Sequence, residues 1–344
     1  MHFYSYYELY PSLVMEIIDY FIQDKAIKDK SVADFFTKKA IANRNETERK
    51  PLIQPQLIID ICERLCQHGE MIRISAGGDF GFNNNYCFII RDKQQFENEK
   101  ERNTVLYNSI VYGFEYIFDK YKDIVVPIVY KEENGFECIG TGIRCNEGIA
   151  TARHCLEGIS KEDREHNKTI SIKGIDANTL EASTIYVSKN EHIDLAFIFL
   201  PGDESNKIFR DEPRILDEVL AMGFPIIAGF QNFLTGEKAT ISAISDVRLT
   251  PTRGTITSVA ESTLAKTNLM LITAKIKGGN SGGPIIASNG CLVGISTDIP
   301  KGEGLYDDLG YGAAYPISEL EKMINEENTL DKSKISFCNF NTDN

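Results

Sequence analysis

The run Lys277-Gly278-Gly279-Asn280-Ser281-Gly282-Gly283-Pro284-Ile285 constrains this chain more than any other stretch. Glycine loses the most backbone entropy on ordering, and proline removes a ladder donor, so the run suits neither a helix nor a central strand. It suits a tight loop whose backbone N–H groups point one way. Converging N–H groups of Gly279 and Ser281, with Asn280 between them, would form an oxyanion hole beside the Ser281 hydroxyl. A serine hydroxyl attacks only with a base beside it, and the base needs an orienting group. Both are present upstream, in Thr151-Ala152-Arg153-His154-Cys155 and Ile193-Asp194-Leu195-Ala196-Phe197. The expected roles are Ser281 as nucleophile, His154 as general base and acid, and Asp194 as the acceptor that holds the imidazole tautomer. Asp203, the nearest rival to Asp194, lacks the Leu-Ala strand that follows it. His192 points differently, and His2, His68 and His166 have no partner motif.

The order His, Asp, Ser is that of the chymotrypsin-type triad and differs from the α/β-hydrolase and subtilisin orders. With it come further matching stretches. Cys138-Ile139-Gly140-Thr141-Gly142-Ile143 precedes the histidine, and Ala221-Met222-Gly223-Phe224-Pro225 contains a Gly-x-Pro turn. Asn289-Gly290-Cys291-Leu292-Val293-Gly294-Ile295 follows the serine, and Gly310-Tyr311-Gly312-Ala313-Ala314-Tyr315-Pro316-Ile317 resembles a closing strand. Over residues 122–328 the chain resembles the trypsin/chymotrypsin-like serine peptidases, and among them the HtrA/Deg type. The resemblance implies a double six-stranded antiparallel β-barrel with the site between barrels. It also implies peptide hydrolysis through an acyl-enzyme, with no metal or cofactor.

Several departures bear on that resemblance. Asn280 stands where secreted trypsins carry the aspartate that pairs with a new N-terminus, so activation by trimming is not expected. Control by ordering of the loop 297–310 is one reading of that stretch, and a plain surface hairpin is the other. The residues after 328 are too few for the PDZ domain that the resemblance would add, so none is expected here. Lys275, Ile276, Ser296 and Thr297 align with the wall of the substrate pocket. The family pattern there favours small aliphatic side chains, whereas a lysine lining the pocket would favour an acidic one. Cys138 and Cys155 fall near the positions of a disulfide common in secreted members, and in a reducing compartment they stay free.

At 344 residues two domains are the natural expectation, and 42% hydrophobic content supports sizeable cores. No run approaches the length of a membrane span. The N-terminus lacks a basic region, and its first apolar run is interrupted by Glu16 and Asp19, which reads as an intracellular, cytoplasmic protein without a signal peptide. A net charge of −13 argues against nucleic acid as the main partner.

Apolar spacing predicts helices over 11–24, from Ser31 as cap through Phe36, and over 57–69, followed by strands at 71–75 and 86–90. Three helices and a hairpin are the element order of a winged-helix domain over 1–92. Such domains dock proteins as well as DNA; the third helix, with Asp60, Glu63 and Arg64, lacks a basic face. A helical linker is expected over 93–121. Short strands with turn signals then run from 124 to 314, including one at 238–247, with a closing helix at 318–328 and a polar tail over 329–344. The function expected is an intracellular serine endopeptidase acting on protein or peptide, its N-terminal domain a recognition or regulatory module that can receive a partner protein. The alternatives are a protease-like peptide-binding adaptor, which an intact His154, Asp194 and Ser281 disfavours, and a winged-helix DNA-binding regulator, which the acidic balance disfavours.

Overall fold

The computed structural model describes residues 3–22, 30–45, 53–77, 79–88, 93–133, 137–158, 163–201, 207–225, 248–262, 266–297 and 310–340. The chain divides into two units, residues 1–117 and 118–344. The first is mainly helical, with α1 (Ser5–Leu9), α2 (Leu13–Phe21), α3 (Val32–Asn45) and α4 (Pro55–Gln67). Spacing of the apolar residues decides what is buried: α2 turns Leu13, Val14, Ile17, Ile18 and Phe21 inward, and α4 turns Leu57, Ile58, Ile61, Cys62 and Leu65. Ser31 caps α3 as its position predicts. Its Oγ accepts the Asp34 N–H at 3.2 Å, and the Asp34 carboxylate accepts the Ser31 N–H at 3.2 Å, a reciprocal capping box. β1 (Met71–Ser75) and β2 (Asn85–Phe88) follow as an antiparallel pair. The end of the second expected strand, 89–90, lies outside the described residues.

The segment expected as a helical linker is helical but forms three helices. Residues 93–121 form α5 (Lys93–Asn98), α6 (Lys100–Tyr112) and α7 (Phe114–Tyr121), and α6 packs against α2 and α4 with Val105, Tyr107 and Val111 buried. Asn103, Asn108 and Ser109 are buried as well, so α6 is covered on several sides and shows no clean apolar stripe. Gly113, at φ +70°, ends α6 and separates it from α7.

The second unit is mostly strand, as the short runs separated by turn signals predict. Its elements are β3 (Val125–Glu132), β4 (Glu137–Cys145), β5 (Gly148–Thr151), α8 (His154–Glu157), β6 (Lys168–Ile172), α9 (Ala177–Ala182), β7 (Thr184–Val187) and β8 (Ala196–Phe199). Then come β9 (Glu218–Gly223), β10 (Thr250–Glu261), β11 (Asn268–Ile272), β12 (Pro284–Ala287), β13 (Leu292–Thr297), β14 (Gly312–Pro316), α10 (Ile317–Asn325) and β15 (Ile335–Phe337). The expected strand at 238–247 lies outside the described residues.

The later strands close into a barrel in the order β10-β11-β14-β13-β12-β9. Val219, Ala221, Ile256, Met270, Ile272, Ile285 and Val293 fill it. The earlier strands form a seven-stranded half-barrel in the order β15-β6-β3-β4-β5-β8-β7, around Ile128, Ile149, Ile170, Ile172, Ile185 and Ile198. This is the chymotrypsin-like arrangement, with one half closed and the other left as a sheet.

The expected polar tail is corrected. β15 pairs in parallel with β6, Ile335 opposite Lys168 and Phe337 opposite Ile170, and covers that edge of the sheet. Leu330 is buried, Ile335 and Phe337 pack on the same core, and Lys332 Nζ donates to the carbonyls of Glu181 and Ser183 at 2.6 and 2.8 Å. Three apolar residues among many polar ones are enough to anchor the segment because the sheet edge supplies the backbone partners.

Candidate active site

The glycine-rich run folds as its composition requires, into a tight turn held from two sides. The Asn280 N–H donates to the Lys277 carbonyl at 2.8 Å, and the Gly283 N–H to the Asn280 carbonyl at 2.9 Å. From behind, Ser296 Oγ donates to the carbonyls of Asn280 (2.6 Å) and Gly283 (3.1 Å), and its own backbone pairs with Gly282 and Gly283. From the half-barrel, Thr141 Oγ1 donates to the Gly279 carbonyl at 2.6 Å. The Thr141 N–H donates to the Ser281 carbonyl at 2.8 Å, and the Cys155 thiol reaches the same carbonyl at 3.3 Å. The nucleophile candidate is thereby fixed against the residue that follows His154.

Gly282 is needed at this seam. Its φ is +85°, and a Cβ there would lie 2.1 Å from the Thr141 carbonyl and 2.3 Å from Thr151 Oγ1. Gly282→Ala is expected to lower the thermal midpoint by more than about 5 °C, because the backbone strain alone costs roughly 1–3 kcal/mol before the clash is relieved. Differential scanning calorimetry checks this, and an unchanged midpoint would mean that the loop sits elsewhere.

His154 opens α8, one turn beyond β5. Its backbone N–H donates to Asp194 Oδ1 at 2.8 Å, and its Nδ1 lies 2.6 Å from Asp194 Oδ2. A carboxylate can only accept, so Nδ1 carries a proton, and in the neutral ring Nε2 presents its lone pair. Thr297 Oγ1 donates to Asp194 Oδ2 at 2.6 Å, and the Asp194 N–H donates to Tyr315 Oη at 3.2 Å. Burial on its own would lower the His154 pKa, but the Asp194 charge and hydrogen bond beside it outweigh that and hold it well above the ordinary value. Burial likewise pushes the Asp194 carboxyl up, and the His154 ring with the Thr297 hydroxyl brings it below its ordinary value.

A family model described as the trypsin-like peptidase domain matches residues 140–295. The chain carries a trypsin-like peptidase domain. Over 187 residues it is 30% identical to the magnetosome formation protease MamE of Magnetospirillum gryphiswaldense, a match that covers 51% of this chain and 21% of that protein. It is 25% identical over 183 residues to the serine protease Do-like HtrB of Bacillus subtilis, covering 52% of this chain and 35% of the relative. The chain therefore spans well under half of the length of either protein. Among solved structures, the active form of the Rv3671c protease from M. tuberculosis aligns at 16% identity with a TM-score of 0.44, over 62% of this chain and 85% of that one.

Within the peptidase domain, the residues expected to line the substrate pocket have other surroundings. Ser296 is buried behind the Ser281 turn and braces it. Thr297 Oγ1 is bonded to the Asp194 carboxylate. Lys275 is exposed, its carbonyl accepting from Thr252 Oγ1 at 2.9 Å, and Ile276 packs on the barrel core beside Gly312. Asn280 is removed from the expected oxyanion hole because its N–H is bound inside the turn, which leaves Gly279 and Ser281 as candidate donors. The loop 297–310 lies outside the described residues beyond Thr297 and before Gly310. Cys138 and Cys155 are free thiols. In the sequence Thr141 and Tyr315 stand only as parts of flanking strands; their hydroxyls hold the site, and no local signal assigns such distant partners.

Proposed function

We propose that the chain is a serine endopeptidase in which Ser281 is the nucleophile, His154 the general base and acid, and Asp194 the orienting carboxylate. The observation that carries this reading is the His154–Asp194 couple, held by two hydrogen bonds, on a segment whose Cys155 contacts the Ser281 carbonyl. Ser281 Oγ adds to the peptide carbonyl carbon while its proton passes to His154 Nε2. The tetrahedral oxyanion is stabilised by the N–H groups of Gly279 and Ser281. The C–N bond then breaks, His154 protonates the leaving amine, and the acyl-enzyme is hydrolysed by a water that His154 deprotonates.

A unit of 117 residues outside the matched domain favours a second role, recognition of a substrate or partner protein, for the N-terminal part. The setting proposed is intracellular, where the thiols of Cys138 and Cys155 persist. The preference proposed at the residue before the cut bond is for small aliphatic side chains, as the resemblance implies.

The test is hydrolysis of an unfolded protein substrate, read by mass spectrometry across pH. The base must be neutral to accept the Ser281 proton, and its pKa is raised above the ordinary 6.5. kcat/KM is therefore expected to fall on the acid side with a midpoint above 6.5. Cleavage by wild type and by Ser281→Ala at equal rates would remove the reading.

A further inference from the structure

We infer that Tyr315 is a positioning residue for the Asp194–His154 couple, its hydroxyl tying the closing strand of the barrel to the main chain of the Asp194 turn. This rests on the reading that His154 and Asp194 serve Ser281. Tyr315 sits on β14 and is buried. Its Oη accepts the Asp194 N–H at 3.2 Å and donates to the His192 carbonyl at 3.2 Å. One hydroxyl thus satisfies two main-chain groups that flank Ile193, and it uses both its donor and its acceptor capacity to do so. Burial raises the Tyr315 hydroxyl to about 12, so it keeps its proton, and its donor role, through the neutral range.

The neighbouring strand completes the tie. On β13, Ile295 lies opposite Tyr315 and Thr297 opposite Ala313. Thr297 holds the Asp194 carboxylate from this pair of strands, and Tyr315 holds the Asp194 backbone. One contact sets the side chain's rotation and the other sets where the residue begins. Ser296, next along β13, braces the Ser281 turn. Adjacent strands of the barrel therefore place the nucleophile directly, and they place the base through Asp194, although His154 and Asp194 themselves belong to the half-barrel. A purely packing role for the tyrosine ring would need neither hydroxyl contact.

The discriminating variant is Tyr315→Phe in the full chain, which keeps the ring and deletes the tie. The groups that face the couple are unchanged in it: Cys155 and Cys138 beside His154, and Glu319 beside Tyr315. The His154 imidazole is titrated by NMR, with its signal assigned by its loss in His154→Gln, and fluorophosphonate labelling rates are measured alongside. A loosened Asp194 supports the imidazolium less, so the His154 midpoint is expected to move down toward the ordinary value. Labelling is expected to slow about tenfold, since small misplacements of a reacting group carry large rate effects. A folded variant with an unchanged His154 midpoint overturns the inference. A shifted midpoint in proteins that never label supports the tie and removes the protease reading instead, so the two failures are distinguishable. Should Tyr315→Phe not fold, hydrogen exchange at the Asp194 amide of wild type decides. Exchange about a hundredfold slower than a free turn amide supports the bond to Tyr315, and exchange at the free rate overturns it.

Discussion

His154→Ala is expected to lower kcat/KM on the unfolded protein substrate by on the order of a millionfold, while circular dichroism shows the fold retained. A serine hydroxyl is not a nucleophile at neutral pH without a base beside it, and His154 is the base proposed for Ser281. Residues that act as a unit lose nearly the whole effect when the base alone is removed, and losses near 10⁶ are the scale for such a deletion. The substitution leaves the backbone N–H of residue 154 in place, so the bond to Asp194 Oδ1 survives and the loop stays where it is. That separates loss of chemistry from loss of structure. Activity within tenfold of wild type would mean that another group takes the serine proton.

Asp194→Asn is expected to cost about 10⁴ in kcat with little change in KM or thermal midpoint, because it installs the wrong imidazole tautomer. All the contacts to the Asp194 carboxylate need an acceptor: the His154 N–H at Oδ1, and His154 Nδ1–H with the Thr297 hydroxyl at Oδ2. An amide must point its NH₂ at one of these oxygen positions. Thr297 can rotate its hydroxyl to accept and the backbone N–H cannot turn, so the NH₂ is expected beside Nδ1 and Thr297. His154 then accepts at Nδ1 and carries its proton on Nε2, where it cannot take one from Ser281. The acid limb should also move downward, because the charge that raises the imidazole pKa is gone. Steady-state kinetics across pH check both parts, and an unchanged kcat would show that the carboxylate charge has no role.

Much of the arrangement was legible in the residues. The Ser281 loop announced itself by glycines in a place where only tight backbone contacts explain them, as the 2.1 Å approach of a hypothetical Gly282 Cβ to Thr141 bears out. The strands of the second unit followed from short runs bounded by turn signals, and α2, α4 and the Ser31 cap from helical spacing and capping chemistry. What escaped depends on partners distant in the chain. Thr297 reaches Asp194 across 103 residues and Tyr315 across 121, and no local pattern encodes such a pairing. Strand context marks Tyr315 only as part of a closing strand, and the family resemblance assigns Thr297 to the pocket wall. β15 escaped for a related reason: a short parallel strand has no hairpin partner nearby, and its two apolar residues look like noise in a polar segment. The helix α6, buried on several sides by polar as well as apolar residues, has no stripe for periodicity to detect.

The central claim is that Ser281 is an activated nucleophile beside a formed oxyanion hole. Treating the full chain with a fluorophosphonate and weighing the intact protein tests it most directly, with Ser281→Ala treated in parallel. The account predicts one adduct per chain on wild type, located to Ser281 by peptide mapping, and none on the variant. Absence of an adduct on folded wild type, or equal labelling of both proteins, would contradict it.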